Sequence, residues 1–472
     1  MTMSREQLDA ARKLFTMGDI TWLLHPKQLE LYNWLNEEGR DLAVICTSRQ
    51  IGKSFMMLAY AINYCLQHPK QTVLYLAPTM TQLEKIILPR LNTIMQWLPD
   101  GLLPQTREAR RWLFDNGSIF RLDGVGRNRG VAVRGDSIAL AIIDEARDIT
   151  HLQELIGAVI APMLTTTDGK LIIISSAPDS PAHAFTDIFI RQAVARGDFF
   201  SLTYQDNPML SSKRLTYLTE VLYPGGHSNA TFRREYMADY TVTDYEKRVV
   251  REWNQVANDR FFESYAGPAG PVRAYIGLDS GWSDPAAVIT GWWDATAGAL
   301  VIDDEWMERH KNTAQIGRQI VLMEEKLMAK LPKGSPEPLR IMDVDPTLMH
   351  DLHSLYNLKF EPVFKVNSSI AMMNRLRISI AEGKVKIAKH CPQLRFQLET
   401  GVFNAKHSDY VRTEKTGHLD LVESLKGVVL NCRFNEVLHS GNIAPLGPNQ
   451  MRLSRTFGIP GSFKQGVLQR PT

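Results

Sequence analysis

The run Ser48-Arg49-Gln50-Ile51-Gly52-Lys53-Ser54 has the chemistry to hold a phosphate. Backbone N–H groups at a helix N-terminus converge on an anion, and the helix dipole favours its negative charge. In such a loop Lys53 reaches the β- and γ-phosphates of a nucleotide, and the Ser54 hydroxyl ligates Mg2+. The general pattern wants Gly where this chain has Thr47. Asp144-Glu145 is the complementary pair. Asp144 can hold the ion, directly or through water, and Glu145 can orient and deprotonate an attacking water. The hydroxyls of Ser175 and Ser176 suit the sensing of a γ-phosphate or of that water.

The elements that must position these residues are readable around them. The apolar run Leu42-Ala43-Val44-Ile45-Cys46 precedes the loop, and Phe55 to Ala61 reads as a helix after it. Strand, small-residue loop, helix is the setting a phosphate-binding loop needs. Ile138 to Ile143 is continuously apolar, as in a strand buried on both faces of a parallel sheet. It ends in Asp144-Glu145, and ligands of open α/β sheets bind at the carboxyl ends of the strands. A third strand, Leu171 to Ile174, runs into Ser175-Ser176-Ala177-Pro178.

With the loop, the strand acids and the serine turn in this order, the chain resembles the large terminase subunits, the DNA-packaging motors of tailed bacteriophages. The stretches Phe114-Asp115-Asn116-Gly117-Ser118-Ile119 and Val133-Arg134-Gly135 are similar to that family as well. The resemblance implies an N-terminal RecA/ASCE-type P-loop ATPase with a parallel sheet, using ATP and Mg2+. It implies that Thr47 is a family variant of the loop and that Gln28 lies near the adenine. It further implies that Arg49 or Arg134 supplies the charge that stabilises the γ-phosphate in the transition state.

The same resemblance implies a C-terminal RNase H-like nuclease with a mixed sheet, whose carboxylates hold two Mg2+ or Mn2+ ions. Its first element is Ala274 to Leu278, strand-like and ending in Asp279. Strands Ala287 to Trp293 and Ala299 to Asp303 flank a turn and complete a meander. A helix from Ala314 to Leu331 follows, and Leu339-Arg340-Ile341-Met342 leads into Asp343-Val344-Asp345-Pro346. In a strand Asp343 and Asp345 point to one face, because the side-chain period is two. Both are therefore candidate ligands, and the Asp-Pro pair, which resembles the family's strand-end pattern, favours Asp345. Asp420, in Gly417-His418-Leu419-Asp420, is similar to the start of the family's late helix and is the third ligand. Asp409 and Glu423 are weaker candidates, and His418 is placed to contact the scissile phosphate or a water. Two such ions stabilise both the attacking and the leaving oxygen of an in-line displacement. Oxygen ligands suit Mg2+ or Mn2+ rather than zinc.

At 472 residues the chain has room for two or three cores. No stretch approaches the length of a membrane span. Four scattered cysteines, without Cys-x-x-Cys spacing, argue against zinc and structural disulfides and fit a reducing compartment. The net charge of +3 is unevenly spread. Lys359 to Lys415 holds eleven Lys and Arg against five Asp and Glu, and Gln105 to Gly135 holds seven Arg against three acids. Such patches attract a phosphate backbone without reading sequence.

The expected layout is an ATPase over 1–205, a small helical lid over 206–240, a linker over 241–272, a nuclease over 273–435 and a flexible basic tail over 436–472. The expected function is ATP-driven translocation of double-stranded DNA into a procapsid, with metal-dependent cutting of concatemers. Double-stranded DNA, the portal protein and procapsid, and the small terminase subunit are the expected partners. The assembled form is expected to be a ring of five copies at the portal vertex, in the host cytoplasm and away from membranes. Two alternatives stand beside this: a P-loop helicase or repair ATPase fused to a nuclease, and a non-hydrolytic, ATP-switched DNA-bridging protein.

Overall fold

Two sheets organise the chain, whose computed structural model describes residues 19–108, 110–126, 137–280, 285–363, 369–404, 409–413 and 415–438. The first sheet contains β1 (Leu42–Thr47), β2 (Thr72–Ala77), β3 (Gln105–Glu108), β4 (Arg111–Leu113), β5 (Ile119–Gly124), β6 (Leu140–Asp144), β7 (Lys170–Ser175) and β8 (Phe199–Leu202). Their order is β3-β4-β5-β2-β6-β7-β1-β8. Pairing is parallel from β5 through β8, and antiparallel only at the β3-β4-β5 edge. The central strands are buried on both faces. In β1, Ala43 and Ile45 join one hydrophobic core while Val44 and Cys46 join the other. This is why these strands read as unbroken apolar runs. Register brings their carboxyl ends level, with Cys46 opposite Ser175 and Asp144 opposite Ile174.

Helix α1 (Pro26–Leu35) precedes β1, and helix α2 (Lys53–Gln67) follows it. Beyond β8, short helices gather around Tyr204, Leu218 and Phe232, the last on α3 (Ala230–Tyr236).

The second sheet has the order β13-β12-β9-β10-β11-β14. Its strands are β9 (Arg273–Asp279), β10 (Ala286–Asp294), β11 (Ala299–Glu308), β12 (Leu339–Met342), β13 (Phe360–Pro362) and β14 (Val385–Ile387). β9, β10 and β11 form the antiparallel meander, and β12 pairs parallel with β9. Helices α4 (Thr313–Lys330), α5 (Pro346–Tyr356), α6 (Pro392–Thr400) and α7 (Asp420–Asn431) cover it. α7 lies close against β9, and Gly277 is the reason. A Cβ there would stand 2.7 Å from Val428 Cγ2 and 2.9 Å from the Ser424 carbonyl oxygen. The RecA-type and RNase H-like fold classes are both present, on the expected halves of the chain.

All four cysteines are buried and unbridged. Among the described residues no helix is long and apolar enough to cross a membrane. Arg134 and residues 439–472 of the basic tail lie outside the described residues, as do parts of both basic patches.

Candidate active sites

The phosphate loop turns sharply into α2. Gln50 and Gly52 both have positive φ, 61° and 81°. Glycine is needed at 52 for space as well, since a Cβ would meet Gln28 Nε2 at 2.6 Å. That amide donates to the carbonyls of Ile51 (3.1 Å) and Gly52 (3.3 Å), so the buried Gln28 braces the loop from α1. Lys53, at the first turn of α2, places Nζ 2.6 Å from Glu145 Oε1 and 3.4 Å from Ser176 Oγ. Glu145 itself sits in the left-handed region at φ 50°, a strained turn directly after β6.

Asp144 is buried and accepts a 2.6 Å hydrogen bond from the Tyr75 hydroxyl. Burial first, then the neighbouring Glu145, pushes its carboxyl above the usual range; Lys53, Tyr75 and a hydrogen bond from Ser54 pull the other way. Arg49, Gln50, Gly52, Lys53, Ser54, Asp144, Glu145 and Ser176 all line one cleft of ≈ 400 Å³. Ser48 is fully buried, with its N–H bonded to the Leu202 carbonyl at 2.7 Å. Ser175 turns away from the cleft, and its hydroxyl accepts from the Arg147 N–H at 3.0 Å. Glu145 Oε2 is buried and has no hydrogen-bond partner. An orphaned carboxylate oxygen on a residue that lines the cleft with Ser54 and Asp144 fits a hard cation and its waters.

The second constellation forms where β9, β12 and α7 meet. Tyr275, Gly277 and Asp279 share one face of β9 by the period of two, and that face meets α7. Asp279 has its carboxyl pushed well above the usual range. Burial is the main cause, followed by Glu423 and Asp420, with Asp343 adding to it and Lys426 opposing. Asp343 lines a cleft of ≈ 50 Å³ with Asp279, Glu423 and Lys426. Asp345 does not join them. β12 stops at Met342, Pro346 starts α5, and Asp345 becomes its N-cap, accepting from the Leu348 N–H at 3.0 Å. The period-two argument that made Asp343 and Asp345 joint candidates assumed a strand that had already ended, and the Asp-Pro pair that favoured Asp345 stands here at a helix start. His418 and Asp409 pair at 2.5 Å. Tyr410, next to Asp409, donates to Glu423 Oε1 at 2.8 Å. Among the described residues no three His, Cys, Asp or Glu side chains converge closely enough to hold a metal. The donors around Asp279 are nonetheless all carboxylate oxygens, the chemistry Mg2+ or Mn2+ prefers.

A family model described as "Terminase large subunit, T4likevirus-type, N-terminal" matches residues 44–263, the stretch holding the loop, the acid pair and the serine turn. Over that stretch the chain is similar to the N-terminal domain of large terminase subunits. The large terminase subunit of Escherichia phage T5 is 24% identical over 300 residues, which is 61% of this chain and 64% of that protein. The alignment thus spans less than two thirds of that relative. The crystal structure of the HK97 bacteriophage large terminase superposes with a TM-score of 0.54 at 16% identity, covering 87% of this chain and 95% of that one. This likeness is one of fold, and it extends across both sheets. A large terminase of the thermophilic bacteriophage D6E, solved in complex with ADP, gives a TM-score of 0.41 at 14% identity over 88% of this chain and 100% of that one.

Within this fold, several residues of the two sites escape sequence reasoning. Arg147 lines the nucleotide-loop cleft, donates to the Ala177 carbonyl at 2.9 Å and meets Glu235 Oε1 at 3.4 Å. Its position two residues past the acid pair was the available signal. Arg90, on the helix after β2, lines the same cleft. Glu235, on α3, is ion-paired to Arg49, and its carbonyl accepts from the Arg49 N–H at 2.8 Å. Lys426 stands among the carboxylates of the second site, at i+6 from Asp420 and i+3 from Glu423 on α7.

Proposed function

We propose that this chain is an ATP-driven motor that moves double-stranded DNA and also cuts it by divalent-metal hydrolysis. The observation that carries the reading is the first cleft, where Lys53 and Ser54 at a helix start face Asp144 and Glu145 at a strand end. In this reading nucleotide binding draws Lys53 from Glu145 to the phosphates, at the α2 N-terminus. Glu145 is thereby released to accept a proton from the attacking water. Ser54 and Asp144 would hold Mg2+, which would supply charge neutralisation at the phosphates. Arg49, already at the cleft, stabilises the γ-phosphate, with Arg134 as the other candidate. Because Arg49 is also bonded to Glu235, its movement toward phosphate pulls on α3. That is a direct route from hydrolysis to motion of the small helical unit, which acts as the lid.

Asp279, Asp343 and Asp420 would hold the divalent metal of the nuclease, which would supply charge neutralisation at the scissile phosphate. Water adds to phosphorus, the phosphorus–oxygen bond to one deoxyribose breaks, and the leaving oxygen is protonated. The basic stretch Lys359 to Lys415 supports backbone contact with DNA of any sequence. The terminase likeness supports the portal, procapsid and small terminase subunit as partners, and a homo-oligomeric ring of five at the portal.

The test is displacement of a triplex-forming oligonucleotide from linear DNA by the purified protein. ATP-dependent displacement, lost with a non-hydrolysable analogue, is the expected result. Hydrolysis without displacement under any DNA or salt condition would overturn the motor reading, and nucleotide binding without hydrolysis would leave the switch or bridging alternative.

A further inference from the structure

Tyr75 is set into the middle of an apolar strand, Thr72-Val73-Leu74-Tyr75-Leu76-Ala77. It is 0% exposed, in the core that the first sheet shares with α2. A phenylalanine would fill that space without burying a hydroxyl, which costs free energy unless the hydroxyl finds a partner. The partner is Asp144 Oδ2 at 2.6 Å, the short length of a hydrogen bond to an ionised carboxylate. Register explains the reach. Tyr75 stands opposite Ile142 on β6, and Asp144 lies two residues further along the same face. The other oxygen, Asp144 Oδ1, accepts from the Glu145 N–H at 2.9 Å. A donor on each oxygen fixes the plane of the carboxylate before any ligand arrives. Lys53 and Ser54, the other groups that favour its charge, belong to the phosphate loop and are committed to the nucleotide. Tyr75 and the Glu145 N–H are the donors that stay.

We propose that Tyr75 is a positioning residue for the cation of the nucleotide cleft, its hydroxyl clamping Asp144 so that the carboxylate meets the cleft in one orientation. The inference rests on the reading above in which Asp144 holds Mg2+, and it adds a residue outside the phosphate loop and the acid pair. Buried behind Asp144, Tyr75 touches no nucleotide and acts only through the aspartate. A group that orients a metal-ligating carboxylate sets the affinity of the site, since a carboxylate free to rotate must be ordered again whenever the ion binds.

The experiment is binding of a fluorescent, hydrolysis-resistant ATP analogue to the full chain, with EDTA and with saturating Mg2+. The wild type is expected to bind more tightly with Mg2+. Tyr75→Phe should bind like the wild type in EDTA and lose about 10-fold of the gain from Mg2+, the low end for removing a group that orients a metal ligand. In the Asp144→Asn protein, adding Tyr75→Phe should change the gain no further, because no carboxylate is left to clamp. A folded Tyr75→Phe protein with the full wild-type gain overturns the proposal. Equal weakening in EDTA and in Mg2+, or loss of the fold, overturns it too, since the hydroxyl would then serve the core or the loop. If the wild type shows no gain, or Asp144→Asn keeps all of it, the cation reading of Asp144 itself fails, and the proposal with it.

Discussion

In the N-terminal cleft Lys53 meets Glu145 at 2.6 Å, and in the C-terminal cluster Lys426 is ion-paired with Glu423. Both pairs sit beside an aspartate at the end of a buried strand, Asp144 or Asp279, whose carboxyl is pushed up by burial and neighbouring acids. The settings of the two lysines differ. Lys53 follows a loop with two positive-φ residues and borders ≈ 400 Å³ of open cleft. Lys426 belongs to the body of a helix packed on β9 and borders ≈ 50 Å³. A lysine on a loop-to-helix junction can exchange a glutamate for an incoming phosphate. A lysine within a packed helix is a fixed charge. One pairing thus suits a site that cycles, and the other a site that is built and then waits for substrate.

The largest effect should come from breaking the movable pair. Lys53→Ala should lower ATP hydrolysis about 10³-fold or more, since both phosphate contact and transition-state charge are lost. Metal-dependent DNA cleavage should be unchanged. Steady-state phosphate release and plasmid nicking measure the two. If nicking fell in parallel, the two lysines would not serve separate sites.

A sharper division concerns the acids after β12. Asp343→Asn should reduce cleavage by about 10²-fold, the scale for losing one preorganised electrostatic contact. Asp345→Ala should leave cleavage intact and cost about 1 kcal/mol of stability as a lost helix cap. Denaturant melts and nicking assays on both proteins decide it. Asp343 and Asp345 share a face only while β12 is assumed to continue, and the choice of Asp345 came from the likeness of its Asp-Pro pair to the family's strand-end pattern. Pro346 is the residue that could have warned against this, because proline favours the first turn of a helix.

The smallest effect is a pH dependence. The folded protein raises the Asp279 pKa, so the stability cost of ionising this group is absent below its unfolded pKa, grows as pH rises from there and is complete above its folded pKa. Without metal, Asp279→Asn avoids that cost. Its melting temperature should exceed the wild type's at mildly alkaline pH, and the advantage should shrink as pH falls below the raised pKa and vanish in the ordinary carboxylate range. An advantage that grew on acidification would reverse the assigned sign.

What the sequence made legible was contiguous or periodic. The loop, the apolar strands with acids at their ends and the meander with its following helix are local patterns, and each forms near its expected bounds. Family likeness placed Gln28 near an adenine, whereas its contacts with the Ile51 and Gly52 carbonyls had no sequence signal. Glu235 joins Arg49 from 186 residues further along the chain, a pairing that no local pattern encodes. Lys426 was readable in principle, because i+3 and i+6 positions on a helix lie near one another. An isolated lysine there also suits a solvated face, and only the close packing at Gly277 turns it inward.

The central claim is that one chain holds two separable active sites. Its most direct measurement is ATP hydrolysis and DNA cleavage on the same preparations of Glu145→Ala and Asp420→Ala. The account predicts that Glu145→Ala loses hydrolysis and still cuts, while Asp420→Ala loses cutting and still hydrolyses. Loss of both activities in each variant, with the fold intact by circular dichroism, would contradict it.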